Sequence, residues 1–159
     1  PLGVGWGIDP AAAVLPYARQ RGVVPVRGTA EALPFTAASF DSVLVVTTVC
    51  FVDSVAKHLA EVRRVLKPGG SLLVGLIDRE SPLGRVYRQR QAESPFYAPA
   101  HFLSSAELGE ALAAAGLQAD GWVQTLFEDG SSETGAGPQP TRPGTGEGSF
   151  VVARARRPA

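Results

Sequence analysis

Residues 28–70 read GTAEALPFTAASFDSVLVVTTVCFVDSVAKHLAEVRRVLKPGG. Within this stretch, Asp41–Phe51 is apolar and β-branched. It is too short and too β-branched for a helix and lacks clean alternation, so it predicts a strand buried on both faces, as in the middle of a parallel sheet. Asp53 or Ser54 then caps a helix. In it Val55, Leu59, Val62 and Leu66 share one face, while Lys57, Glu61, Arg63 and Arg64 fall elsewhere. Lys67-Pro68-Gly69-Gly70 stops that helix and turns the chain into Ser71–Ile77, a second buried strand. Strand, helix, turn and strand make a βαβ crossover, which sets the class as α/β.

Working outward toward the N-terminus, Val23–Arg27 is a strand candidate, and Gly28–Phe35 is the loop that follows it. Before them, Val4–Ile8 is a short strand weakened by its glycines, and Asp9-Pro10 opens a helix that runs to about Arg21 and stops at Gly22. Pro10 suits the first helical position, whereas Pro16 implies a kink or a short helix. Toward the C-terminus, Asp78–Phe102 combines charge, proline and aromatic residues, with a short helix over Leu83–Gln91. At the ligand end of a sheet such a segment is a natural lid or substrate wall, with Tyr87, Phe96, Tyr97, His101 and Phe102 as its aromatic candidates. Leu103–Gly116 is a helix with a Ser104/Glu107 capping box and a Leu103/Leu108 staple. Trp122–Phe127 is a strand, Glu128–Gly146 a long loop, and Gly148–Ala155 a last strand antiparallel to the one before. The whole, residues 1–159, reads as one domain.

Fifteen basic and fifteen acidic residues give zero net charge, so nothing points to nucleic acid or an anionic membrane as partner. Arginine outnumbers lysine, but Arg63-Arg64 on a helix and Arg154, Arg156 and Arg157 at the end read as solvated surface. The single cysteine, Cys50, allows no disulfide within the chain and no cysteine zinc cage, and its apolar setting makes it a small core residue. No apolar run is long enough to span a bilayer and no leader pattern opens the chain, so a cytoplasmic protein is the default expectation.

The ordered series LPF, SFD before an apolar strand, F-V-D, and a helix ending VLKPGG resembles the second half of a class I S-adenosylmethionine-dependent methyltransferase. The resemblance runs from about Gly5 to Leu76. It implies a Rossmann-like, doubly wound, mostly parallel sheet with a C-terminal antiparallel hairpin, and S-adenosylmethionine-dependent methyl transfer to a small-molecule acceptor. The alternatives are a nicotinamide-dependent oxidoreductase on a similar fold and a non-catalytic methyltransferase-like binding module. No metal-spaced cluster and no catalytic dyad is visible, and methyl transfer from a sulfonium needs little beyond alignment.

Asp9 is the strongest single candidate. An acid at the carboxyl end of a strand is where doubly wound folds bind ribose hydroxyls, although a plain helix cap would use it equally well. The resemblance favours the ribose. It also implies that the loop Thr29, Ala30 and Glu31 meets the adenine, with Thr29 where an acid commonly stands and the N–H of Ala30 or Glu31 as donor. Thr47 is implied near the methionine portion of the cofactor. The chain has no methionine and begins Pro-Leu-Gly. The resemblance places a first strand and a glycine-rich turn ahead of it, so the domain is expected to be incomplete at its N-terminus. Open strand edges, weak or absent cofactor binding by these residues alone, marginal stability and a tendency to associate are expected in consequence.

Overall fold

The crossover is built as its sequence dictates. Ser54, not Asp53, caps the helix α2 (Val55–Val65), its hydroxyl accepting the Lys57 N–H at 3.3 Å. Leu59, Val62 and Val65 on α2 are fully buried against β3 (Phe40–Val46) and β4 (Leu66–Ile77), which pair in parallel. The computed structural model describes residues 3–127 and 138–159. Around the crossover stand β1 (Trp6–Asp9), α1 (Leu15–Gln20), β2 (Val24–Arg27), α3 (Pro82–Gln89), α4 (Ser105–Ala114), β5 (Gln118–Thr125), β6 (Arg142–Pro143) and β7 (Phe150–Arg156).

The architecture is the expected Rossmann-like α/β fold. β1 and β2 form a parallel pair, and a second sheet runs in the order β3-β4-β7-β5-β6. β7 pairs antiparallel with β5, as expected of a terminal hairpin, and its other edge pairs antiparallel with β4. α4 carries the capping box in full. The Glu107 N–H donates to the Ser104 hydroxyl, and the Glu107 carboxylate accepts the Ser104 N–H at 2.8 Å. Leu108 and Leu112 on α4 complete a core with Leu72, Val74, Leu76, Ala153 and Ala155 from one face of the sheet.

Several local expectations are corrected. The apolar run ends as a strand at Val46, and residues 49–51 turn into a short 3-10 helix. β3 is not buried on both faces. Val45 is buried, but Leu44 and Val46 are 43% and 45% exposed, because α2 and α4 cover one face and β3 has a partner only on its β4 side among the described residues. Leu73 on β4 shares that open face. Lys67–Gly70 does not separate helix from strand as a free turn. The register jumps from Phe40↔Leu66 to Ser42↔Ser71, so the four residues form a bulge in β4 with Gly69 at φ 76°. Pro10 lies outside any helix, whereas Pro16 stands in the first turn of the six-residue α1, the short helix it implies. Part of the Glu128–Gly146 loop lies outside the described residues, and its end supplies the short strand β6. Arg63, Arg154 and Arg156 are exposed, as expected of surface arginines, and the C-terminal ones also make specific bonds. The Arg157 guanidinium donates to the carbonyls of Leu66 (2.6 Å) and Arg63 (3.1 Å) at the end of α2, and Arg154 and Arg156 both hold Asp120.

Candidate functional site

The parallel register sets Asp9 beside Arg27, and the Gly28 N–H donates to the Asp9 carbonyl at 3.4 Å. Asp9 and the loop 28–35 therefore leave the sheet side by side, at the carboxyl ends where open α/β sheets bind ligands. The half-buried Asp9 uses one oxygen, Oδ1, to accept the Ala11 N–H at 2.8 Å. Oδ2 and the N–H groups of Ala30 and Glu31 bond to no other described residue. A carboxylate oxygen and two N–H donors at adjoining strand ends are the groups that a vicinal diol and an adenine edge require.

The loop is held from below by side chains of α2. The His58 Nδ1–H donates to the Ala30 carbonyl at 3.1 Å, and His58 is itself buried. Glu61 accepts the Leu33 N–H at 2.8 Å. The Arg64 guanidinium donates to the carbonyls of Phe35 (2.7 Å) and Leu33 (2.9 Å) and is paired with Glu61 at 2.7 Å. Arg64 holds the Glu61 carboxyl below its ordinary range, chiefly through that hydrogen bond. Glu31 is drawn in too, its carboxylate accepting the Asp53 N–H at 2.7 Å, so the loop after β2 is tied to the entry of α2. Sequence reading placed Glu61 and Arg64 merely off the apolar face. Their i, i+3 spacing was the available signal, but nothing in it named the loop as partner.

Thr47 closes β3 with a left-handed backbone, φ 51°. For a β-branched residue this is a strained conformation worth about 1–3 kcal/mol, and such strain gathers at functional positions. The Thr47 N–H donates to the Gly75 carbonyl at 2.8 Å, and its hydroxyl donates to the Val46 carbonyl at 2.8 Å. Beside it lies a cavity of about 350 Å³, walled by Cys50 and Phe51 before α2, by Leu76 and Ile77 at the end of β4, and by Tyr87, Phe96, Tyr97 and Phe102. The Cys50 thiol donates to the Thr47 carbonyl at 3.5 Å. Burial pushes the thiol up from its ordinary value, away from the thiolate form. Burial, and then the Tyr97 phenol, likewise raises the Tyr87 hydroxyl.

Of the residues singled out in sequence, the structure brings Thr47, Tyr87, Phe96, Tyr97 and Phe102 to this cavity. His101 stays exposed outside it, joined through its N–H to the Cys50 carbonyl. Asp9 lines a separate hollow of about 290 Å³ between β1 and α1. Thr29, Ala30 and Glu31 line neither. Phe51 was read as part of the strand, and only the 3-10 turn after Thr48 shows it to be a cavity wall. Among the described residues no helix is long and apolar enough to cross a membrane, and no group of three or more His, Cys, Asp or Glu is placed to hold a metal ion.

Residues 4–74 match the family model of a methyltransferase domain. The chain is 33% identical over 157 residues to an uncharacterized protein of Methanocaldococcus jannaschii, spanning 99% of this chain and 75% of that protein. It is 40% identical over 118 residues to an uncharacterized Mycobacterium tuberculosis protein, 74% of this chain but 41% of the other. A Thermotoga maritima crystal structure, described as an S-adenosylmethionine-dependent methyltransferase and possible histamine N-methyltransferase, is 43% identical with a TM-score of 0.91. The match covers 99% of this chain and 74% of that one. The YcgJ protein of Bacillus subtilis, 18% identical with a TM-score of 0.69, shares the fold.

Proposed function

This chain belongs to the S-adenosylmethionine-dependent methyltransferases, and from that premise we propose that it binds S-adenosylmethionine at the carboxyl ends of its parallel strands and methylates a small-molecule acceptor. The observation that carries the reading is the cavity beside Thr47, which is of ligand size and opens at the strand ends where the expected cofactor groups also lie. Asp9 Oδ2 would hold the ribose diol, the N–H of Ala30 or Glu31 the adenine edge, and Thr47 the methionine portion. The cofactor supplies a methyl group on a sulfonium that is its own leaving group, so that transfer leaves the thioether and the acceptor sheds one proton. The protein's part is to align the acceptor and exclude water, and the aromatic walls and the protonated Cys50 and Tyr87 suit that task. The Thermotoga relative's description as a possible histamine methyltransferase supports an acceptor of small size.

Asp9→Asn tests the ribose assignment. Asparagine keeps an acceptor for the Ala11 N–H but gives up the charge-assisted bonds to a diol. S-adenosylhomocysteine affinity, measured by calorimetry, should weaken by about 2 kcal/mol, with the melting temperature of the free protein unchanged. Equal affinity in both proteins would sink the assignment. NAD is the control ligand and should not raise the melting temperature, whereas S-adenosylhomocysteine should. Methyl incorporation from labelled cofactor into a panel of small amines, thiols and hydroxyl compounds separates an enzyme from a binding module.

A further inference from the structure

We infer that the cavity beside Thr47 is a slot for a planar aromatic ring without negative charge, which enters between Phe51 and Tyr97 and carries an N–H or O–H toward Thr47; this rests on the acceptor reading given above. Tyr97 stands at the centre of the ring cluster. Tyr87 is stacked on it at 4.9 Å with 22° between the planes, a pair in contact. Phe51 is just as parallel, at 19°, but its centroid is 6.5 Å away. Carbon atoms in contact lie about 3.5–4.0 Å apart, so a ring held between two others needs roughly 7 Å between their planes, and the half-exposed Phe51 has only to swing slightly outward from its 6.5 Å centroid separation to admit one. Phe51 is 45% exposed. The protein's own packing leaves this phenyl uncovered while holding it parallel to Tyr97 across a cavity.

Charge narrows the class further. No acidic or basic side chain of the described residues lines the cavity. An anion entering it would lose hydration with no partner in return and would meet the negative faces of the rings, so the ring carries no negative charge when bound. Thr47 sets the polarity of the end nearest β3. Its hydroxyl proton is committed to the Val46 carbonyl, and what remains is oxygen lone pairs, which accept. A ring bearing an N–H or O–H satisfies them, and that heteroatom then sits at the end of β3, where the methyl donor is proposed to bind. With about 350 Å³ available, the acceptor is a compact molecule of one or two rings.

The test uses matched neutral alcohols, 2-naphthol against decahydro-2-naphthol, and the anion 2-naphthoate, titrated into the full chain by ligand-observed NMR. 2-Naphthol should bind at least about tenfold more tightly than its saturated counterpart and than the anion, because only a flat ring without negative charge stacks on both walls. Phe51→Leu keeps apolar bulk but removes the plane. It should erase that preference, leaving decahydro-2-naphthol binding and the melting temperature unaltered, since Phe51 is half exposed in any case. Equal binding of the two alcohols, or a preference that survives Phe51→Leu, would overturn the slot. S-adenosylhomocysteine binding is scored separately. Its loss alongside an intact ring preference counts against methyl transfer and leaves the slot standing, and the converse removes the slot alone.

Discussion

Gly84→Ala is expected to unseat α3 and lower stability by about 3 kcal/mol or more. A Cβ at Gly84 would overlap the Asp78 carbonyl oxygen and stand 2.9 Å from its carbon. That backbone cannot retreat cheaply. The Ser81 N–H and hydroxyl donate to the same carbonyl, while the buried Asp78 carboxylate accepts the N–H groups of Glu80 (2.8 Å) and Ser105 (2.9 Å). The end of β4, the cap of α3 and the first turn of α4 are thus fastened at one point, and α3 carries Tyr87 from there to the cavity. The variant should therefore lose 2-naphthol binding along with its stability in denaturant titration. Gly109→Ala is the control. Its Cβ would meet only Trp122, at 3.7 Å, in the interior of α4, so alanine should stabilise by up to about 1 kcal/mol. Undiminished stability in Gly84→Ala would refute the packing account.

Arg64→Met should cost about 3 kcal/mol and weaken S-adenosylhomocysteine binding as well. Methionine keeps the apolar stem but removes the bonds to the Leu33 and Phe35 carbonyls and leaves Glu61 with only the Leu33 N–H. These contacts fix the path of the loop that carries Thr29, Ala30 and Glu31. A double-mutant cycle with Glu61→Gln should show coupling, since the two side chains grip one segment. The pair also sets a pH dependence. The folded-state pKa of Glu61 lies below its unfolded value of about 4.3, so its contribution is present above that pH and is lost as pH falls through the lowered value. Parent stability should thus decline below about pH 4 more steeply than that of Glu61→Gln. Parallel curves would mean that the ion pair adds nothing.

Class and element order were legible before any packing was known, because they depend on local preference and on the period of apolar residues. The β-branched run before Thr47 makes a strand, the Ser104/Glu107 box makes a helix start, and the glycines at 22 and 116 end helices with φ of 80° and 70°. Such signals reside in a few neighbouring residues and are complete before the chain collapses. Asp9 and Thr47 were legible as candidates for the same reason, since each stands where a strand gives out. Where distant segments meet is settled by packing instead. That β7 lies between β4 and β5 follows from burying Val151, Ala153 and Ala155 in one core, a choice with no local signature. The exposure of Leu44 and Val46 depends on which strand faces have cover, which an apolar run cannot declare. The clamp of His58, Glu61 and Arg64 spans about thirty residues of chain, and polar side chains on a helix look solvated until a backbone carbonyl is brought to them. Phe51 and Tyr97 face one another for the same reason: their spacing comes from the packing of two loops over the end of a sheet, and neither loop encodes it alone.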